Sequence, residues 1–167
     1  RSGRFAAVTN YRGGRDADAA ESRGALVTRF LLGDLSPGKY VSSLSPANYS
    51  GFNLLVAGHD ELWWLSNRDG GSRRLEPGIY GLGNFFLDTP EVLAPKLQFE
   101  RSIAPSPSVE PLFTVLAASK IVAAEYGTRC ATVLLEGADG VVRFAERAFD
   151  AEGGDGETLR FEFQRKR

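Results

Sequence analysis

Two short apolar runs, 51–57 and 61–66, flank the tripeptide Gly58-His59-Asp60. A glycine-led connection of three residues cannot carry a crossover helix, so the two runs must pair antiparallel as a hairpin. The same grammar returns in the last third of the chain. There 130–135, 141–149 and 159–164 read as strands, the first two joined by Glu136-Gly137-Ala138-Asp139-Gly140 and the last two by a Gly/Asp/Glu loop. A further strand is expected over 4–9, followed by a Gly/Arg/Asp-rich loop, 12–20, that has no apolar period. Helical spacing of Leu26, Val27, Phe30 and Leu31 predicts a helix over 24–32, with Ser22 as N-cap and Gly33 as stop. A second short helix is expected from Ser36-Pro37, carrying Tyr40, Val41 and Leu44, and another over 109–119 after the Pro-rich stretch 104–111. Segment 75–80 reads as extended and broken at Pro77-Gly78. Strand runs and helix runs are segregated, which predicts an α+β fold of antiparallel sheets packed face to face with helices outside. At 167 residues the length fits one domain, 1–167.

Charge and composition remove several classes of function. Twenty Lys+Arg against 21 Asp+Glu give a formal net charge of −1, so no global field draws the chain to nucleic acid. No apolar run has the length needed to span a bilayer. Cys130 is the single cysteine and His59 the single histidine, which excludes an internal disulfide framework and predicts no metal site. A lone cysteine suits a reducing, cytoplasmic compartment. The predominance of Arg over Lys, with abundant Ala and Gly, suggests a GC-rich bacterial source.

The polar residues that stand out lie at strand ends. Val8-Thr9-Asn10-Tyr11-Arg12, Leu65-Ser66-Asn67-Arg68, Gly81-Leu82-Gly83-Asn84 and Tyr126-Gly127-Thr128-Arg129 each set an amide or a guanidinium beside an apolar run. A guanidinium cannot shed its charge, so it is held by carboxylates or carbonyls, or it faces an anionic ligand. Arg12 and Arg23, with Ser22 at the start of the first helix, can jointly hold an anion. The competing reading is an Asx turn with solvated arginines. Arg129 either meets a ligand or pairs inside the fold with Glu125 or Glu146. Asn53, within Phe52-Asn53-Leu54-Leu55, reads as a buried structural amide, and Asn67-Arg68-Asp69 before Gly70-Gly71 as a turn. Trp63 and Trp64 must face opposite sides of their strand. Cys130 reads as a small buried residue and not as a thiolate nucleophile, and His59 has no catalytic constellation around it. The glycines near Asn84 lack the third glycine and following helix of a dinucleotide fingerprint.

In order, Gly3 to Arg12, Ser22-Arg23-Gly24, Tyr49-Ser50-Gly51-Phe52-Asn53-Leu54-Leu55, Ser66-Asn67-Arg68, Pro77-Gly78-Ile79-Tyr80-Gly81-Leu82-Gly83-Asn84, Leu87-Asp88-Thr89-Pro90 and Tyr126-Gly127-Thr128-Arg129 resemble the NRDE family, that of the transport-and-Golgi-organization proteins. The resemblance runs from Gly3 to about Phe163. It implies a Met-Cys start and an Asn-Arg-Asp-Glu motif upstream of Arg1, and further residues near Pro90 and Lys120. It implies a four-layer αββα sandwich like that of the N-terminal-nucleophile hydrolases. In such a site a terminal cysteine attacks while neighbouring Asn and Arg hold the substrate; Asn10, Asn84 and Arg129 suit that supporting role. The family is also associated with haem trafficking and with lipid or acyl-CoA handling. The expected function is binding and trafficking of such an anionic, hydrophobic ligand, with Asn10, Tyr11, Arg12, Ser22, Arg23, Asn84 and Arg129 as its contacts. Haem is its possible cofactor-like cargo. The alternatives are an amidohydrolase whose nucleophile lies upstream and a non-catalytic scaffold with a protein partner.

Overall fold

A computed structural model describes residues 3–13, 16 and 18–165. The chain is α+β, with two antiparallel sheets and four α-helices among the described residues, and it resolves into two compact units, Arg1–Val92 and Leu93–Arg167. The expected loop over 12–20 includes residues 14, 15 and 17, which lie outside the described ones.

In the first unit four strands pair in sequence order: β1 (Phe5–Asn10), β2 (Phe52–Ala57), β3 (Leu62–Ser66) and β4 (Gly71–Leu75). Strand alternation sends Phe52, Leu54 and Val56 to one face, where they meet Leu26 and Phe30 of α1 (Gly24–Leu32) and Tyr40 and Val41 of α2 (Pro37–Ser43). Burying this cluster is the main stabilising contribution of the unit. Arg4 closes it: its guanidinium donates to the carbonyls of Phe30 and Leu35 at the end of α1 and lies 3.8 Å above the Phe30 ring. The opposite face carries Asn53, Leu55 and Trp64. Segment 81–88 covers it, with Leu82, Phe86 and Leu87 packing against Trp64 and Leu75.

The second unit has α3 (Leu93–Ser102), α4 (Val109–Ala117) and a meander of β5 (Cys130–Glu136), β6 (Val141–Phe149) and β7 (Asp155–Gln164). Leu112 and Phe113 of α4 pack on Ala131, Val133, Ala145 and Phe149. Above them Arg147 bonds Glu110 and Asp155 while its guanidinium lies over the Phe113 ring.

Three elements depart from the sequence-based expectation. β4 reads Gly-Ser-Arg-Arg-Leu, and only Leu75 of it is buried, so no alternation marked it; it is an edge strand set by the Asn67–Gly70 turn, with Gly70 at φ 72°. The extended segment expected over 75–80 is strand only at Leu75. α3 buries none of its residues and so carried no helical stripe. Ser22, expected as N-cap, sits one residue before the cap position, which Arg23 occupies in helical geometry without a side-chain bond. Replacing Leu54 by Ala should cost about 2–5 kcal/mol in urea denaturation, whereas Leu97→Ala on the exposed side of α3 should stay within about 0.5 kcal/mol.

Candidate functional site

The end of β1 is tied on both sides. The Tyr11 N–H donates to the Gly51 carbonyl (2.9 Å) and the Arg12 N–H to the Asn84 carbonyl (2.6 Å), while Asn84 Nδ2 returns a bond to the Asn10 carbonyl (2.8 Å). One step back, Thr9 Oγ1 donates to the Gly83 carbonyl (2.9 Å). Segment 83–85 thus runs alongside β1 and brings Phe85 and Phe86 against Tyr11, with ring centroids 5.9 and 5.1 Å away. The Arg12 guanidinium lies 5.7 Å from the Phe85 ring centre, and no described residue gives it a hydrogen bond or an ion pair. Its field reaches Glu91, whose carboxyl is held below the usual range mainly by its own backbone N–H and Thr89, with Arg12 the smallest cause. The Asn10 carboxamide is exposed and unbonded to described residues. A cation, an amide and three aromatic rings therefore share this edge.

Gly51 is the junction beneath it. Its carbonyl accepts from Arg23 (3.0 Å) as well as Tyr11, and its N–H donates to Asp16 (3.2 Å), which also pairs with Arg68 at 2.5 Å. A Cβ at Gly51 would stand 2.9 Å from Arg68 Nε and 3.0 Å from Tyr11 Cβ. Asn67 locks the same corner, accepting from the Phe52 N–H and donating to the Pro46 and Tyr49 carbonyls. The start of α1 is locally satisfied: Ser22 accepts from the Gly24 N–H through its Oγ and from the Ala25 N–H through its carbonyl. Those N–H groups are therefore engaged within the turn itself.

Of the seven expected contacts, the first unit gathers Asn10, Tyr11, Arg12 and Asn84 directly, with Arg23 joined through Gly51 and Ser22 next to Arg23. Arg129 belongs to the second unit. It lines a cavity of about 840 Å³ with Ile121, Val122, Tyr126, Phe149 and the acids Glu125, Asp150 and Glu152. The internal pairing weighed for Arg129 is absent among the described residues, and Glu146 instead accepts from Thr132 (2.9 Å). Trp63 donates to Glu61 (2.6 Å) and Trp64 packs with Leu75 and Leu87, so neither stacks on Tyr11. Asn67 and Arg68 stand out in the sequence as a polar strand end but read by default as a turn, and Asp16 escaped sequence reasoning altogether, because a turn or loop sequence does not say what its side chains reach. No group of three His, Cys, Asp or Glu among the described residues could hold a metal ion, and no described helix is long and apolar enough to cross a membrane.

Residues 1–121 match the Transport and Golgi organisation 2 family. The chain is 32% identical to the Transport and Golgi organization protein 2 homolog of Bos taurus, covering 87% of this chain and 68% of that protein. It is 30% and 31% identical to the Mus musculus and Homo sapiens homologs, covering 96% of this chain and 74% of each. The chain belongs to the Transport and Golgi organisation 2 family. These three relatives are mammalian and lend no support to the bacterial source suggested by composition. The alignments to mouse and human span 205 positions against 167 residues here, so these Transport and Golgi organization proteins carry segments that this chain lacks. The match also runs across both units of the fold.

In this family member Gly51→Ala should cost about 1–3 kcal/mol, because Tyr11 Cβ cannot yield without moving β1; an unchanged urea midpoint would remove Gly51 from the junction. Cys130 is exposed and not the buried residue expected from the sequence, because strand alternation turns Ala131 and Val133 inward instead; partial desolvation, followed by the nearby Glu146, pushes its thiol up from its ordinary range. Its alkylation by iodoacetamide should therefore have a pH midpoint above that of free cysteine, and a lower midpoint would reveal an activated thiolate.

Proposed function

We propose that the chain binds an apolar ligand through its anionic head at the end of β1, as a cytoplasmic binding and trafficking protein for haem or an acyl-CoA-like lipid. The observation that carries this reading is Arg12. Arg29, Arg68, Arg143, Arg147, Arg160 and Arg165 each have a carboxylate partner, whereas Arg12 stands over Phe85 with none among the described residues. A guanidinium beside Tyr11, Phe85 and Phe86 suits a head group with a carboxylate or phosphate attached to an apolar body. Asn10 and the Oδ1 of Asn84 add hydrogen-bonding capacity, while Ser22 and Arg23 line the approach from α1. Arg129 lines the cavity of the second unit, and the same ligand class is assigned to it. The word "transport" in the relatives' names agrees with carriage in preference to chemistry.

Isothermal titration of the purified protein with haemin and with palmitoyl-CoA tests the reading. Arg12→Ala should weaken binding by about 1.5–3 kcal/mol, the range of a hydrogen bond to a charged group, with the circular dichroism spectrum unchanged. Undiminished affinity in a folded Arg12→Ala protein would refute it. Arg129→Ala tests the cavity of the second unit by itself, and full affinity there would remove Arg129 from the contacts.

A further inference from the structure

Among the described residues β7 is the longest strand, and it lies at one edge of its sheet, whose order is β5-β6-β7. All of it except Thr158 is exposed, and the exposed residues include Leu159 (47%), Phe161 (56%) and Phe163 (48%). These alternate positions stand on one face of the sheet, next to Phe144 of β6, whose ring centroid is 6.1 Å from that of Phe161. A long apolar edge is a template for another strand, and proteins that leave one open blunt it with proline, lysine or a bulge. β7 has neither proline nor lysine, and the one irregularity of its pairing falls at its first residues, opposite Arg147 and Phe149.

The pairing with β6 fixes which backbone groups face outward. The Arg165 N–H donates to the Gly140 carbonyl (2.9 Å), which continues the register that sets Gln164 opposite Val141. In an antiparallel ladder alternate residues share that direction. Leu159, Phe161 and Phe163 therefore turn their backbone groups toward β6, while Thr158, Arg160, Glu162 and Gln164 turn theirs to the open edge. A second β7 laid antiparallel along this edge is hydrogen-bonded only when those four positions oppose one another. With Phe161 opposite Phe161 of the second copy, Arg160 falls opposite Glu162, Glu162 opposite Arg160, and Leu159 opposite Phe163. Sliding the strand by two residues sets Arg160 against Arg160 in one direction and Glu162 against Glu162 in the other. The charges of β7 thus select a single self-complementary register.

We propose that β7 is a homodimerisation edge, where two copies of the chain join their three-stranded sheets into one about a two-fold axis at Phe161. The pairs Phe161 with Phe161 and Leu159 with Phe163 fall at the non-hydrogen-bonded positions, where side chains stand closest and cross-strand apolar contact gains most. On the opposite face Arg160 already pairs with Glu110 and Glu162 with Arg143 (2.8 Å), yet Arg160 and Glu162 remain 51% and 62% exposed. A carboxylate can accept from two guanidinium groups. The new Arg160–Glu162 pairs therefore extend the existing ones into a charge ladder without breaking them.

Sedimentation velocity across a concentration series, with circular dichroism as the control for folding, tests the edge. The purified chain should pass from monomer to dimer as concentration rises. Arg160→Glu alone and Glu162→Arg alone each set like charges opposite one another and should raise the dimer Kd by about tenfold or more. An equimolar mixture of these two variants should associate again, because both cross-copy pairs are then of opposite sign. Phe161→Lys, which touches neither in-chain ion pair, should also be monomeric with a native spectrum. A chain that stays monomeric throughout would overturn the proposal and leave the edge to a different strand. A dimer that survives Phe161→Lys would overturn it too, and this variant decides alone if a charge variant loses its native spectrum. A mixture of folded charge variants no more associated than its components would overturn the register.

Discussion

The carbonyl of Gly51 accepts from both Tyr11 and Arg23, and its N–H is given to Asp16. Three separate pieces of chain, the end of β1, the start of α1 and the loop after β1, are thereby referred to one peptide group just before β2. The arrangement requires a residue without a side chain, because Tyr11 and Arg68 occupy the space a Cβ would need. Asn53, two residues on, then fixes Phe85 from below. The position of Arg12 over Phe85 follows from these two anchors, since the rest of segment 83–85 is held only by β1 itself. The Asn53 bonds and the Tyr11–Gly51 bond are uncharged and should be insensitive to salt, whereas the Arg23 and Asp16 contacts of Gly51 and the exposed Asp16–Arg68 pair should respond to it.

The charges of the first unit divide into two groups. Glu21 is held below the usual carboxylate range chiefly by its hydrogen bond with Arg29, with Asn48 and Tyr49 adding to it, and this exposed network fastens the 3-10 turn Pro46–Asn48 to α1. A depressed carboxyl contributes stability above its unfolded pKa and loses it as pH falls through the folded one, so this fastening weakens in acid. Arg12 has no carboxylate partner among the described residues and lies only beside the Phe85 ring. A charge so placed is where an external anion has the most to offer.

Much of this was legible in the residues. The bounds of α1 were those of its apolar period, and β2, β3, β5 and β6 followed from apolar runs and glycine turns, because each buries at least one face. β4 and α3 were illegible because they bury almost nothing, and a pattern of burial is what periodicity reports. At the site, Asn10, Tyr11, Arg12 and Asn84 could be read because polar residues ending an apolar strand have few structural uses. The part played by Asp16 could not, as it depends on a contact with Gly51 across 35 positions of sequence. The Ser22 signal pointed to the right turn but assigned its cap one residue early, the Ser22 hydroxyl serving the Gly24 N–H from outside the helix.

Amide chemical-shift mapping of the ¹⁵N-labelled protein on addition of palmitoyl-CoA tests the central claim most directly, because it reports where a ligand sits without altering a residue. The largest changes should fall on Asn10, Tyr11 and Arg12 and on Asn84, Phe85 and Phe86. Changes centred instead on the cavity of about 670 Å³ around Arg4, Leu32 and His59 would contradict the assignment of the ligand to the end of β1.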